Sequence, residues 1–173
     1  MERLTFVLVD SSYCDYLRES DFCVPYTMDN KSNRPFVGIL LHIHDISYYA
    51  PLSSPKQKHL TMKNQIDLLK IDGGKYGVIN FNNMIPVHSN SIRNINLAVS
   101  SSDSPSELQY KALLSNQLTW CNANKELITQ KAQKLYNTIL NKKGWDSLIK
   151  RCCNFVGNET LLKNYCLSKG WKL

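Results

Sequence analysis

The densest chemistry in the chain lies in Pro51-Leu52-Ser53-Ser54-Pro55-Lys56-Gln57-Lys58-His59. Two hydroxyls, two ammonium groups and an imidazole stand within seven residues, a set suited to holding phosphate. Ser54 reads as a helix cap, with Pro55 at the first helical position and Gln57 completing a capping box. Amides at such a start carry partial positive charge, and Lys56 and Lys58 add full charges beside the hydroxyls. His59 joins this cationic ground. Ser53-x-x-Lys56 also matches the S-x-x-K of penicillin-binding enzymes, but the chain is too short for that fold and has neither S-D-N nor K-T-G. His42-x-His44 puts two imidazoles on one strand face. No third ligand follows, so two exposed strand-end histidines are expected rather than a metal site.

The charge distribution points the same way. The chain has 173 residues and a formal net charge of +7. Residues 1–29 hold six acids and two bases, and the other 144 residues hold 19 bases and 8 acids. A basic surface of that size attracts phosphate polymers by counterion release and steering. The length suits one domain spanning 1–173. No apolar run approaches the roughly 20 residues of a membrane span. The opening Met1-Glu2-Arg3-Leu4 has no signal-peptide pattern, so a soluble cytoplasmic protein without membrane contact is expected. Six cysteines without a C-x-x-C are expected as reduced thiols. For Cys152-Cys153, one thiol should face inward in a helix.

The elements that must position these groups follow from periodicity. Leu4–Val9 reads as a buried strand, and residues 10–19 as a helix capped by Ser11 or Ser12. Residues 21–35 read as a loop. Phe36–His44 and Ser47–Leu52 read as paired strands, with Val37, Ile39, Leu41 and Ile43 alternating onto the core face. Further strands are expected within 66–71 and 76–81 and at Ile85, the first two joined by the Asp72-Gly73-Gly74-Lys75 turn. Residues 88–104 read as irregular. Ser104-Pro105-Ser106-Glu107 is a second capping box. It opens a helix with the stripe Tyr110, Leu113, Leu114, Gln117, Leu118 and Cys121, and another stripe runs Ile128, Ala132, Leu135, Tyr136 and Ile139. Asn122-Ala123-Asn124 kinks or divides them. Two shorter helices should fill 145–154 and 158–169. Strands first and helices later give an α+β fold, a partly closed antiparallel sheet with a mostly helical C-terminal half.

Arg34-Pro35-Phe36-Val37-Gly38-Ile39, Tyr49-Ala50-Pro51-Leu52-Ser53-Ser54-Pro55-Lys56, Gly77-Val78-Ile79-Asn80-Phe81 through Met84-Ile85-Pro86, Tyr110-Lys111 through Leu118 and Asn122-Ala123-Asn124 occur in one order. This series resembles the endoribonuclease toxins of type III toxin–antitoxin systems, the ToxN, AbiQ and CptN family, from the first strand to about residue 140. The resemblance implies a compact, twisted, β-barrel-like core similar to the Kid and MazF toxins, with packed helices. It implies RNA cleavage without metal or other cofactor. It also implies a repeated RNA pseudoknot antitoxin, which the toxin cuts from its precursor and which then inhibits it in a closed protein–RNA assembly. Cellular or phage RNA would be the further substrate, in phage defence or locus maintenance. Ser53, Ser54 and Lys56 match the family's active-site string, with Ser53 standing where threonine is commoner. Arg34 stands at the family's basic position, and Tyr26 is the candidate for its loop tyrosine.

RNA carries its own nucleophile, the 2′-OH. Lys56 and Arg34 would neutralise charge developing on phosphorus, Ser53 and Ser54 would hold phosphate oxygens, and Lys56 could serve as base. The products would be a 2′,3′-cyclic phosphate and a 5′-OH. Lys58, His59, Lys63, Arg93 and Lys111 are the candidate pseudoknot contacts. A non-catalytic RNA-binding module on the same basic surface is the alternative, and a hydrolase with Ser53 as covalent nucleophile a weaker one.

Overall fold

The computed structural model describes residues 3–26 and 34–173. Its centre is a long hairpin of β2 (Phe36–Ile43) and β3 (Ile46–Ser53), turning at His44, whose φ of 53° lies in the left-handed region. Around it the antiparallel sheet adds β1 (Thr5–Val9), β4 (Leu68–Lys70), β5 (Val78–Asn80), β6 (Ile85–Pro86) and β7 (Ile92–Asn94). The strand order is β4-β5-β3-β2-β1-β7, with β6 also on β3. The sheet is open, with β4 and β7 outermost, where a partly closed, barrel-like one is expected from the sequence. β7 falls in the stretch read as irregular. It is three residues with one apolar side chain, too short for a period to register, and it forms by pairing with β1.

The expected alternation on β2 does not hold. Phe36 and Val37 pair with Pro51 and Ala50, and Leu41, His42 and Ile43 with Tyr48, Ser47 and Ile46. Three residues, Gly38, Ile39 and Leu40, therefore stand opposite Tyr49 alone, a bulge with two extra residues rather than the usual one. The Tyr49 ring fills the space that a side chain at 38 would take, so only glycine fits there. Past the bulge the phase changes: Leu40 and Leu41 are buried while Ile39 is half-buried and His42 exposed.

Among the described residues six α-helices pack on the sheet and against one another: α1 (Ser11–Arg18), α2 (Gln57–Thr61), α3 (Pro105–Ala123), α4 (Lys125–Leu140), α5 (Asp146–Arg151) and α6 (Phe155–Lys169). α3 starts with the expected capping box, the Ser104 amide donating to Glu107 Oε2 at 2.8 Å. Asn124 divides α3 from α4, and the α4 stripe Ile128, Ala132, Leu135 and Tyr136 is buried. Asp10 precedes α1, and neither Ser11 nor Ser12 caps it. Cys152 and Cys153 are both buried, in the extended link between α5 and α6 rather than in a helix. None of the six cysteines, all among the described residues, is in a disulfide, and burial pushes Cys121 and Cys152 up to about 12.

Several buried polar groups are tied across elements. The hydroxyls of Tyr48 and Tyr136 both donate to Glu159 Oε1, at 2.7 and 2.8 Å. Burial first, and then this carboxylate, raises the pKa of both phenols. Asp21 accepts from the Asn154 amide at 2.7 Å and from Asn158 Nδ2 at 2.8 Å, fastening the 21–26 segment to α6. Asn83 Nδ2 donates to the Cys23 carbonyl at 2.8 Å from the opposite side.

Candidate active site

The end of β3 carries the site. β5 pairs with it through Leu52–Ile79 and Ser53–Val78, and the segment before β2 reaches it from the other side, the Leu52 amide donating to the Pro35 carbonyl at 2.8 Å. The Phe36–Pro51 register, continued by two residues, sets Arg34 opposite Ser53. Arg34 is half-buried, and burial lowers its pKa. The Ser53 hydroxyl accepts from Asn80 Nδ2 at 2.9 Å, and the same amide donates to the Pro51 carbonyl at 3.2 Å. That arrangement uses the Ser53 oxygen as acceptor, so its own proton is not needed for this bond. Gly77, at a φ of 93°, lies flat on the Ser53 carbonyl.

After Ser53 the chain is exposed through Ser54, Pro55 and Lys56. The capping box read here does not form. α2 begins at Gln57, the residue before it is Lys56 at φ −139° and ψ 149°, and no side chain caps the helix. Lys56 is in extended backbone, so the chain turns helical two residues later than a Ser54 cap requires. A five-residue helix also offers no anion site of its own. The positive charge here comes from Lys56 and Arg34, and the Ser54 hydroxyl stands outside any helix cap.

α3 closes the opposite side. A crevice of about 20 Å³ is lined by Pro35, Leu52 and Ser54 together with Tyr110, Leu114 and Gln117 of α3. Gln117 is 2 % exposed, donates from Nε2 to the Tyr76 carbonyl at 2.6 Å, and has no partner on Oε1 within the structure. Burial raises the Tyr110 phenol. Asn80, Tyr110 and Gln117 escaped the sequence reading as site residues. The legible signal was Gln117, an amide inside an otherwise apolar stripe.

The other predicted residues fall in different places. Lys58 and Lys63 are exposed on and just after α2. Arg93 is exposed on β7, three strands across the sheet from β3. His59 is 3 % exposed, which turns its ring inward and away from the phosphate contact expected of it. Burial, then Lys58 and Lys56, holds its pKa below the ordinary 6.5, and Nδ1 has no hydrogen-bond partner among the described residues. The unfolded chain therefore binds the proton first, and stability falls as pH drops through that value. Between about pH 7 and pH 5, the His59→Gln variant should lose less melting temperature than the wild type. An equal loss would show that His59 is not the group responsible.

Lys111 is held within the protein, pairing with Asp103 at 2.7 Å and donating to the Ala98 carbonyl at 2.7 Å, so it pins the 98–103 loop to α3 rather than offering a free cation. That ammonium also keeps the Asp103 carboxyl below its usual range. Tyr26 is 39 % exposed, with the Arg18 guanidinium 5.4 Å from its ring centre. His42 and His44 are exposed at the hairpin tip, and no group of three or more His, Cys, Asp or Glu among the described residues could hold a metal ion. No helix of the described residues is long and apolar enough to cross a membrane.

Comparison with known proteins adds a second line of evidence. The profile of the family described as "Toxin ToxN, type III toxin-antitoxin system" matches residues 5–163. The match passes residue 140, where the resemblance read from motifs ends, and takes in α5 and more than half of α6. An Endoribonuclease ToxN of Bacillus thuringiensis subsp. kurstaki is 31% identical over 164 residues, 92% of this chain and 83% of that protein. An Endoribonuclease ToxN of Pectobacterium atrosepticum is 31% identical over 160 residues, 88% of each. Among solved structures, that of a bacterial antiviral system regulated by a processed non-coding RNA aligns with a TM-score of 0.77 at 30% identity, covering 92% of this chain and 98% of the other. One of a type III toxin selectively inhibited by a non-coding RNA pseudoknot aligns at 0.78 and 28% identity, covering 95% and 98%. AbiQ, a lactococcal anti-phage endoribonuclease, aligns at 0.82 and 23% identity over 96% and 99%, a likeness of fold.

Proposed function

The chain belongs to the ToxN family of type III toxin–antitoxin toxins and is an endoribonuclease, and from that premise we propose that it cleaves RNA by internal transesterification without a metal ion. The 2′-oxygen attacks phosphorus, the P–O2′ bond forms and the P–O5′ bond breaks. The products are a 2′,3′-cyclic phosphate and a 5′-OH. The observation that carries this reading is the Asn80–Ser53 hydrogen bond beside the exposed Ser54–Lys56 segment. It leaves the proton of one hydroxyl available to a phosphate, with a second hydroxyl and an ammonium within reach.

In this reading Ser53 and Ser54 donate to the non-bridging oxygens, and Arg34 and Lys56 offset the charge that grows on them, the kind of stabilisation worth most in a site arranged beforehand. Lys56 in its amine form takes the 2′-proton, and the ammonium so formed offsets the growing charge and returns a proton to the departing 5′-oxygen. Asn80 is a positioning residue acting through Ser53. Tyr26 is the candidate for the family's loop tyrosine among the catalytic residues. The partner is a repeated RNA pseudoknot antitoxin, which the enzyme processes and which inhibits it in a closed assembly, a reading supported by the pseudoknot named for the similar toxin. Lys58, Lys63 and Arg93 are its candidate contacts, and cellular or phage RNA in the cytoplasm is the other substrate.

The test is purified protein on single-stranded, A-rich RNA with EDTA present, with the new ends mapped. Cleavage to cyclic phosphate and 5′-OH ends is the expected outcome. A requirement for added metal overturns the mechanism. RNA binding with no cleavage by the wild type would instead favour a non-catalytic binding module.

A further inference from the structure

The β2 bulge builds a second cavity, away from the Ser53 centre. It has a volume of about 390 Å³ and lies against Ile39–His42 and Tyr49. Arg3 enters it from before β1, His42 from β2 and Lys125 from the start of α4, while Thr5 and Thr129 add hydroxyls. Three basic side chains thus converge from three separate elements, and no carboxylate lines the space among the described residues. Lys125 stands in the first turn of α4, the end of the helix dipole that favours an anion, so an anion held here would meet both the dipole and these basic side chains. The floor is apolar, formed by Ile39, Leu40, Leu41 and Tyr49 of the bulge. An apolar floor with a few convergent polar groups and a volume of this size is the usual make-up of a small-ligand site. Cations beside an apolar platform are what an unpaired nucleotide needs, the cations for its phosphate and the platform for its base.

Tyr49 lies four residues before Ser53 on β3, about 13 Å away at strand rise, and on the same face of the strand. We propose that this cavity is a subsite for one nucleotide of a single-stranded RNA whose chain continues to the Ser53 centre. The inference rests on the reading of that centre as an RNA-cleaving site. It assigns Arg3, His42 and Lys125 to substrate affinity rather than to the bond-breaking step.

The test uses fluorescence anisotropy, so that it does not depend on turnover. Labelled single-stranded RNAs are titrated against the Lys56→Ala protein, one a dinucleotide too short to reach the cavity and the other about ten nucleotides long. Adding Lys125→Glu should weaken the long RNA roughly tenfold and lower its salt slope by about 0.7, and leave the dinucleotide unchanged. Lys125→Arg should restore binding, and Lys163→Glu on exposed α6 serves as the control for net charge. An equal loss on both RNAs, or a loss no larger than that of Lys163→Glu, overturns the subsite. In cleavage by the otherwise wild-type enzyme, Lys125→Glu should raise KM for the long RNA with kcat unchanged. A wild type that binds long RNA with this dependence but never cleaves would overturn the catalytic reading and leave the subsite standing.

Discussion

The Lys56→Ala enzyme should cleave RNA about 10²–10⁴-fold more slowly than the wild type, the range a positioned proton-transfer group supplies, while keeping its fold. The two halves of this result come from the same observation. Lys56 stands exposed in extended backbone between Ser54 and α2, so its side chain supports no core contact. Exposed substitutions of this kind usually change stability by no more than about 0.5 kcal/mol. A second variant, Lys56→Arg, separates its two roles. The guanidinium keeps the positive charge but does not release a proton near neutral pH. If Lys56 takes the 2′-proton, the arginine variant stays close to the alanine variant; if Lys56 only offsets charge, most activity returns. Single-turnover cleavage with EDTA, alongside melting curves, reads both. Wild-type rates in the alanine variant would remove Lys56 from the mechanism.

Gly77→Ala should cost both stability and activity, through a residue that presents no chemistry of its own. A methyl group at 77 would overlap the Ser53 carbonyl, and the backbone there has a φ of 93°. An L-residue in left-handed backbone costs roughly 1–2 kcal/mol. Here the overlap adds to it, because the obstructing atom is backbone on the neighbouring strand and cannot rotate away. β5 must separate from β3, and Asn80, on β5, then loses its hold on the Ser53 hydroxyl. The expected outcome is a loss of more than about 2 kcal/mol in urea unfolding and cleavage reduced beyond that of Asn80→Ala, which breaks the same hydrogen bond with the strands still paired. A Gly77→Ala protein of wild-type stability would mean that β5 tolerates the shift and that the register of these strands does not set the site.

What was legible in the sequence depended on how local its cause was. The Ser104–Glu107 box and the Ile128–Tyr136 stripe are written within one or two helical turns, and both form. The box read at Ser54–Gln57 has the same spelling and does not form, because Lys56 takes extended backbone and the helix that follows is one turn long. Propensity is weakest where a segment is that short. The β2 alternation failed for a distant cause, the Tyr49 ring lying over Gly38 from the neighbouring strand. Ser53, Ser54, Lys56 and Arg34 were legible because their types and order are distinctive. Asn80 and Gln117 were not, since an amide on a strand or in a helical stripe gains a role only from what it faces after folding. Lys111 and His59 carried the right charge type in the wrong setting, one locked to Asp103 and the other turned inward.

The openness of the sheet has a consequence for how copies of this chain can meet. An outermost strand presents a row of backbone donors and acceptors that another chain could extend. Neither end of this sheet offers a long template. β4 is three residues long, its Lys70 amide donates to Asn64 Oδ1 at 2.9 Å, and the Lys70 ammonium folds back onto the Leu60 and Met62 carbonyls at 3.0 and 3.1 Å. β7 is equally short and shows Arg93 and Asn94 to solvent. Strand addition is therefore a poor route to self-association for this protein, and an assembly holding several copies must take its cohesion from surfaces other than the sheet.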